Sequence, residues 1–527
     1  MEEMLYDPPF LLYFVLFLIL LVTYWWKRST ARVVKLRLPP GPRKLPLIGN
    51  LHQLASGSLP PHHTLRDLAK KYGPIMQLQL GEGLAIVISS PETTREVCKT
   101  HDLEFSQRPV SLAFQVTSFN NSSIAFCPYG TYWRQMRKIC VTELLSTTRV
   151  HSNRTIREEE VWSLVQSISS SHCHTKMNQL PINLSHQISI LTNNITARTV
   201  FGSQCKDRDE FISSVKQVFV LAGGFDLPDL FPSLKFLNFL TGMKPALEKL
   251  HKRVDKILGN IIDEHRLKRS ANNMYRSRNY TNHDKPIFDH HEDLIDVLIK
   301  LQDSCDLEFK MVDDNIKGIA QDMFAGGTET TATVMEWAIS ELVKNPRVME
   351  KAQAEIRQAL EGKKKIYEAD TQDLVYLKSI IKETLRLHPP GALHVRQSRE
   401  RCEVSGYEIP KGAKVFINAW AIGRDSEYWV DPDKFWPERF EGSSIDFRGT
   451  DYEFIPFGSG RRICPGISFA TAIVELALVH LLYHFDWKLP NGINSEELDM
   501  TEAIGFVSSR KHNLLVIPTP CIPFVDE

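Results

Sequence analysis

The chain has no net charge. Lys+Arg and Asp+Glu number 63 each among 527 residues, so it lacks the basic excess of a general nucleic-acid binder. Its nine cysteines contain no C-x-x-C pair, and the odd count argues for reduced thiols rather than a disulfide framework. No Gly/Ser linker, internal repeat or low-complexity tract divides the chain. Histidines at 172, 174, 283, 290 and 291 fit no zinc spacing and read as solvated loop residues. No G-x-G-x-x-G is present, so the chain carries no dinucleotide fingerprint of that kind.

A long apolar run stands at the N-terminus. Phe10 to Trp26 would make a helix of roughly 25 Å, enough for the thin bilayer of the endoplasmic reticulum. Glu2, Glu3 and Asp7 precede it, and Lys27, Arg28, Arg32, Lys35 and Arg37 follow it. This charge order predicts a lumenal tail (1–9), a transmembrane anchor (10–26) and a cytosolic body. A cleaved signal peptide would carry its positive charge before the apolar run and a small-residue cleavage site after it. Residues 27–42 form a basic, Pro-rich hinge ending in Pro39-Pro40-Gly41-Pro42, and 43–527 form the body.

The most specific pattern is Phe457-x-x-Gly460-x-Arg462-x-Cys464-x-Gly466, followed by the apolar helical run Ile467 to Phe485. Random sequence of this length would produce it in roughly one chain in ten thousand. A cysteine just before a helix has its thiolate stabilised by the helix N-terminus and by free N–H groups. Glycines let those groups approach the sulfur. Such a sulfur suits the axial position of a haem iron; the alternative is a buried structural cysteine. Arg462 can reach a haem propionate, and Phe457 can shield the sulfur.

Five segments together resemble the cytochrome P450 family, plant microsomal type: Pro39–Asn50 (PPGPRKLPLIGN), Ala325–Thr331 (AGGTETT), Glu383–Pro390 (ETLRLHPP), Pro437–Phe440 (PERF) and Pro456–Gly466 (PFGSGRRICPG). They stand in that family's order and cover nearly the whole chain. The resemblance implies a mainly α fold with a small β region, a P450 fold preceded by one transmembrane helix. It implies haem b ligated by Cys464 and a separate NADPH-cytochrome P450 reductase as electron donor. It also implies monooxygenation of a lipophilic small molecule, with terpenoids of specialised metabolism as the nearest substrate class. Alkaloid or phenolic substrates, or a non-oxygenating haem-thiolate isomerase or dehydratase, are the alternatives.

Residue roles follow from pattern and resemblance together. Pro74 to Leu80 alternates apolar and polar residues and Leu84 to Ile88 is apolar, which predicts two strands around a turn at Gly81. Val312 to Val343 keeps a 3.6-residue apolar period interrupted at Ala325–Thr331. Two glycines inside a helix cost about 1 kcal/mol each; an opened turn accommodating O2 would explain them, with Thr330 as its hydrogen-bond donor and Glu329 in the proton relay. A functionless kink is the alternative. Trp133 and Arg137 share a helix face, and by resemblance hold a propionate. Glu383 and Arg386 also share a face; apolar neighbours predict a buried pair, with Arg439 as third partner by resemblance. Gly391 to Arg396 departs from the family pattern. It lacks the usual proline before the arginine and is apparently one residue shorter, which bears on whether Arg396 reaches a propionate. It also places His394 where leucine is common, either to orient a substrate oxygen or to bond backbone. By resemblance the pocket walls include 110–126, 225–231, Phe324, Ala325, Leu393, His394 and the turn 503–506 with Ile504. Gly466 closes the cysteine loop.

Overall fold

A computed structural model describes residues 12–23 except 14 and 21, and residues 36–521 except 56–58, 174–179, 203–206, 223–226, 235–241, 279–291, 305–306 and 364. Ten elements position the site. In chain order they are strands β1 (Ile75–Leu80) and β2 (Gly83–Ile88), helices α1 (Thr131–Ile139), α2 (Leu184–Phe201), α3 (Arg208–Ala222), α4 (Asp313–Lys344) and α5 (Val375–Leu387), strands β3 (Leu393–Gln397) and β4 (Lys414–Asn418), and helix α6 (Ile467–His484). Helices dominate and the sheets are small, the mixture expected from sequence. The expected anchor is described only at Leu12, Tyr13, Val15 to Leu20, Val22 and Thr23, all helical. The tail 1–9 and residues 24–35 lie outside the described residues.

The strands run β1-β2-β4-β3 across one sheet. β1 and β2 pair antiparallel from Ile75↔Ile88 to Leu80↔Gly83. β2 lies parallel to β4, and β4 antiparallel to β3. The hairpin turns at Gly81, where φ is +60° and an added Cβ would lie 2.4 Å from the Leu230 carbonyl oxygen; only glycine fits there without strain.

Two long helices cross the interior. α6 is apolar all round, as a helix buried on most faces must be; it is mostly buried and is the one helix among the described residues apolar and long enough to cross a membrane. It is a core helix. α4 runs beside α2 and α6 and is helical without interruption from 313 to 344. The opened turn expected at Ala325–Thr331 is therefore absent. The Thr330 hydroxyl instead donates to the Gly326 carbonyl oxygen at 2.6 Å, a bond that satisfies the hydroxyl within the helix. The two glycines do different things. A Cβ on Gly327 would lie 3.1 Å from Thr196 Cγ2 of α2 and 3.2 Å from Phe469 of α6, whereas a Cβ on Gly326 would meet nothing within 4 Å. Gly327 allows close helix packing, and Gly326 faces open space.

Candidate active site

That open space is a cavity of about 340 Å³ bounded by α1, α4, β3 and the loop leading into α6. Cys464 lies at its wall together with Phe457, Arg462 and Gly466. The loop is held by the Cys464 N–H donating to the Phe457 carbonyl at 3.0 Å, and the Gly466 N–H points to Cys464 Sγ at 3.4 Å. Burial pushes the thiol pKa up, and the Gly466 N–H and the Arg137 guanidinium offset that only in part. The helix start alone does not make this sulfur a stable anion; a cation bonded to it would.

Four guanidinium groups face the cavity. Arg137, on α1, donates to the Ile463 carbonyl at 2.6 Å. Arg462 donates to the carbonyls of Ser106 (2.8 Å), Ile124 (3.1 Å) and Cys127 (2.8 Å), and stacks 4.4 Å above the Trp133 ring. Trp133 gives its own N–H to Ile124. Arg396 donates to the Ser459 carbonyl, so the shortened segment still delivers it to the cavity. Arg108 donates to the carbonyls of Val395 and Ala125. Desolvation and the neighbouring arginines lower Arg108 to about 9, and desolvation lowers Arg462 to about 10. Buried cations held mainly by carbonyls are costly unless an anion joins them.

The opposite wall is α4, which presents Asp322, Met323, Gly326, Gly327 and Thr330, one face at helical spacing. Asp322 accepts from Ser123 Oγ (2.8 Å) and from the N–H groups of Ile124 (2.6 Å) and Ala125 (3.3 Å); desolvation outweighs these bonds and raises it to about 7. Glu329 is half-buried on another face, its pKa raised by burial with Lys216 opposing.

Several expected wall residues lie elsewhere, for reasons of periodicity. Phe324 falls off the cavity face of α4 and packs on Phe201 and Phe211 at 5.9 and 5.0 Å, and Ala325 packs in the same cluster. On β3, successive side chains alternate: His394 and Arg396 line the cavity, while Leu393 packs against the β1–β2 side of the sheet. Ile504 is largely exposed and does not line it. Of 225–231, residues 225 and 226 lie outside the described residues. His394 bonds backbone, its Nε2 lying 2.9 Å from the Ile455 carbonyl, and also borders the cavity. Sequence reasoning missed Arg108 and Asp322. Asp322 lies beside the apolar stripe of α4 and Arg108 lies in a loop, so neither carried a sequence signal.

Glu383 and Arg386, on α5, are both fully buried. Arg386 meets both Glu383 oxygens at 2.7 and 2.8 Å, and its remaining N–H groups reach the carbonyls of Gly423, Pro432 and Lys434. Arg439 donates to Glu383 at 3.1 Å.

A cavity that brings Cys464 together with four arginines fits a flat metal macrocycle bearing carboxylates, the sulfur taking the metal and the guanidinium groups the carboxylates. The profile of the family described as "Cytochrome P450" matches residues 39–516. The chain is a cytochrome P450. Like other members of this monooxygenase family, the P450 carries haem. It is 52% identical to melianol synthase of Melia azedarach, over 98% of this chain and 99% of that protein. Premnaspirodiene oxygenase of Hyoscyamus muticus is 49% identical, over 94% and 95%. Desmethyl-deoxy-podophyllotoxin synthase of Sinopodophyllum hexandrum is 51% identical over 92% of both chains. A zebra fish cytochrome P450 solved with progesterone has the same fold, with a TM-score of 0.72 at 24% identity over 88% of this chain and all of that one.

Proposed function

We propose that this P450 hydroxylates or otherwise oxygenates a lipophilic terpenoid, using O2 and NADPH electrons delivered by a separate reductase at the cytosolic face of the endoplasmic reticulum. The observation that carries the reading is that Cys464, four guanidinium groups and the Thr330 face of α4 border one cavity. Cys464 would hold the haem iron through its sulfur, with Phe457 and Gly466 shaping its surroundings. Arg108, Arg137, Arg396 and Arg462, with Trp133 beneath Arg462, would receive the two propionates. Bound haem supplies the activation of O2. The chain's own residues manage protons and orientation. Thr330 Oγ1 holds a proton now given to the Gly326 carbonyl, and rotation of its side chain would turn that proton into the cavity. Glu329 has a raised pKa, so it retains a proton to a higher pH than an ordinary carboxylic acid; since it lies off the cavity face of α4, water would have to carry that proton to the cavity. Mainly apolar walls exclude water and favour a lipophilic substrate.

The terpenoid class is supported by the relatives named for melianol and premnaspirodiene. A second reading, the same chemistry on a phenolic substrate, is supported by the comparably similar desmethyl-deoxy-podophyllotoxin synthase. Microsomes containing the P450 and a reductase, incubated with a terpenoid panel and a phenolic panel, decide between them by NADPH-dependent products. Cys464→Ala should abolish both product and the thiolate-type spectrum of the reduced carbonyl complex. An unchanged spectrum would remove the haem-thiolate assignment.

A further inference from the structure

Among the four guanidinium groups facing the cavity, Arg396 is the most deeply buried, at 3% exposure. It alone has a carboxylate partner among the described residues: Nη1 lies 3.5 Å from Asp102 Oδ1. That carboxylate is shared. The Arg461 backbone N–H donates to both Asp102 oxygens at 3.2 and 3.1 Å, and Arg461 Nε lies 3.2 Å from Oδ2. Side-chain exposure rises from 3% at Arg396 to 15% at Asp102 and 48% at Arg461. A row of charges therefore runs from the cavity to the surface through one carboxylate. Gly460 makes the approach possible. Its φ is +68°, and a Cβ there would lie 2.5 Å from Asp102 Oδ1 and 2.5 Å from the Cys98 carbonyl oxygen. Burial raises the Asp102 pKa, and Arg396 is the strongest influence opposing this.

We propose that Asp102 is a positioning residue that divides its negative charge between Arg461 at the surface and Arg396 at the cavity, and thereby sets the positive field Arg396 presents to bound haem. The remaining partners of Arg396, the carbonyls of Ser459 and Phe105, orient the guanidinium but leave its charge in place; only Asp102 offsets it. Arg461 is within reach of salt and of acidic groups on other molecules, whereas Arg396 is shielded. Weakening the hold of Arg461 leaves more of the Asp102 charge acting on Arg396. The surface arginine thus adjusts the cavity field without touching the cavity. This inference rests on the haem assignment above.

The test is a spectroelectrochemical titration of the haem-loaded full-length protein. Asp102→Asn removes the offsetting charge and should raise the midpoint potential, favouring reduction by about tenfold, which is about 59 mV for a one-electron couple. Arg461→Gln should move it the opposite way, by less. Added salt should lower the wild-type potential more than that of Arg461→Gln, because only the wild type has a screened surface partner to lose. Shifts of one sign in both variants, or no shift in variants with intact thiolate-type spectra, would overturn the proposal. If Asp102→Asn does not fold, the exposed Arg461→Gln and its salt series still decide. A wild-type protein without the thiolate-type spectrum would remove the haem assignment itself, and this inference with it.

Discussion

The chemistry of His394 is fixed by a single bond. The Ile455 carbonyl at 2.9 Å can only accept, so the proton of the neutral ring sits on Nε2 and Nδ1 carries a lone pair. Desolvation lowers the ring pKa to about 4, so this tautomer persists at neutral pH. Nδ1 therefore accepts hydrogen bonds from hydroxyl groups and offers nothing to a hydrocarbon. His394→Leu should weaken binding of hydroxylated substrates by about 1–3 kcal/mol, or redistribute their products, while hydrocarbons bind as before. Binding spectra across a matched hydrocarbon and alcohol series measure this, and equal affinities throughout would assign the ring a purely backbone role. Both alternatives for this residue were open in the sequence, because strand alternation says which side chains share a face but not which face meets the cavity.

Single elements repeat that pattern of success and failure. The extent of α4 was legible within about a residue at each end, because a 3.6-residue apolar stripe over 32 residues has few other interpretations. Its expected opening was not. Glycines lower helix propensity, but packing of α2 and α6 over Gly327 holds the helix together, a tertiary effect invisible along one strand of text. For α5 the burial of Glu383 and Arg386 was legible from their apolar neighbours. The carbonyls of Gly423, Pro432 and Lys434 that complete Arg386 come from elsewhere in the chain and could not be read. Glu383→Ala would leave Arg386 buried among carbonyls without its counter-charge, at a cost of about 3–5 kcal/mol. The expected outcome is loss of haem retention in purified protein. A variant recovered at normal yield with full haem content would show that the carbonyls alone suffice.

For the molecule as a whole, the described residues of the N-terminal helix take no part in lining the cavity. The described residues of that helix expose their apolar side chains, among them Leu12, Phe17 and Leu20, and the cavity is built from residue 98 onward. Deleting residues 1–26 should therefore release much of the protein from membranes while preserving the carbonyl spectrum; fractionation and difference spectra check both halves. Leu45, Leu47 and Ile48 are also exposed, so partial attachment is expected to remain after the deletion. Loss of the spectrum would mean that the segment supports the body. Inside the body, the adjacent glycines of α4 divide two duties between neighbouring positions. A methyl group added at 326 would narrow the chamber and leave the helix contacts alone, whereas at 327 it would act as a wedge between α4, α2 and α6. For anyone reshaping the catalyst toward smaller substrates, position 326 is an adjustable stop, and position 327 is a hinge pin to leave in place.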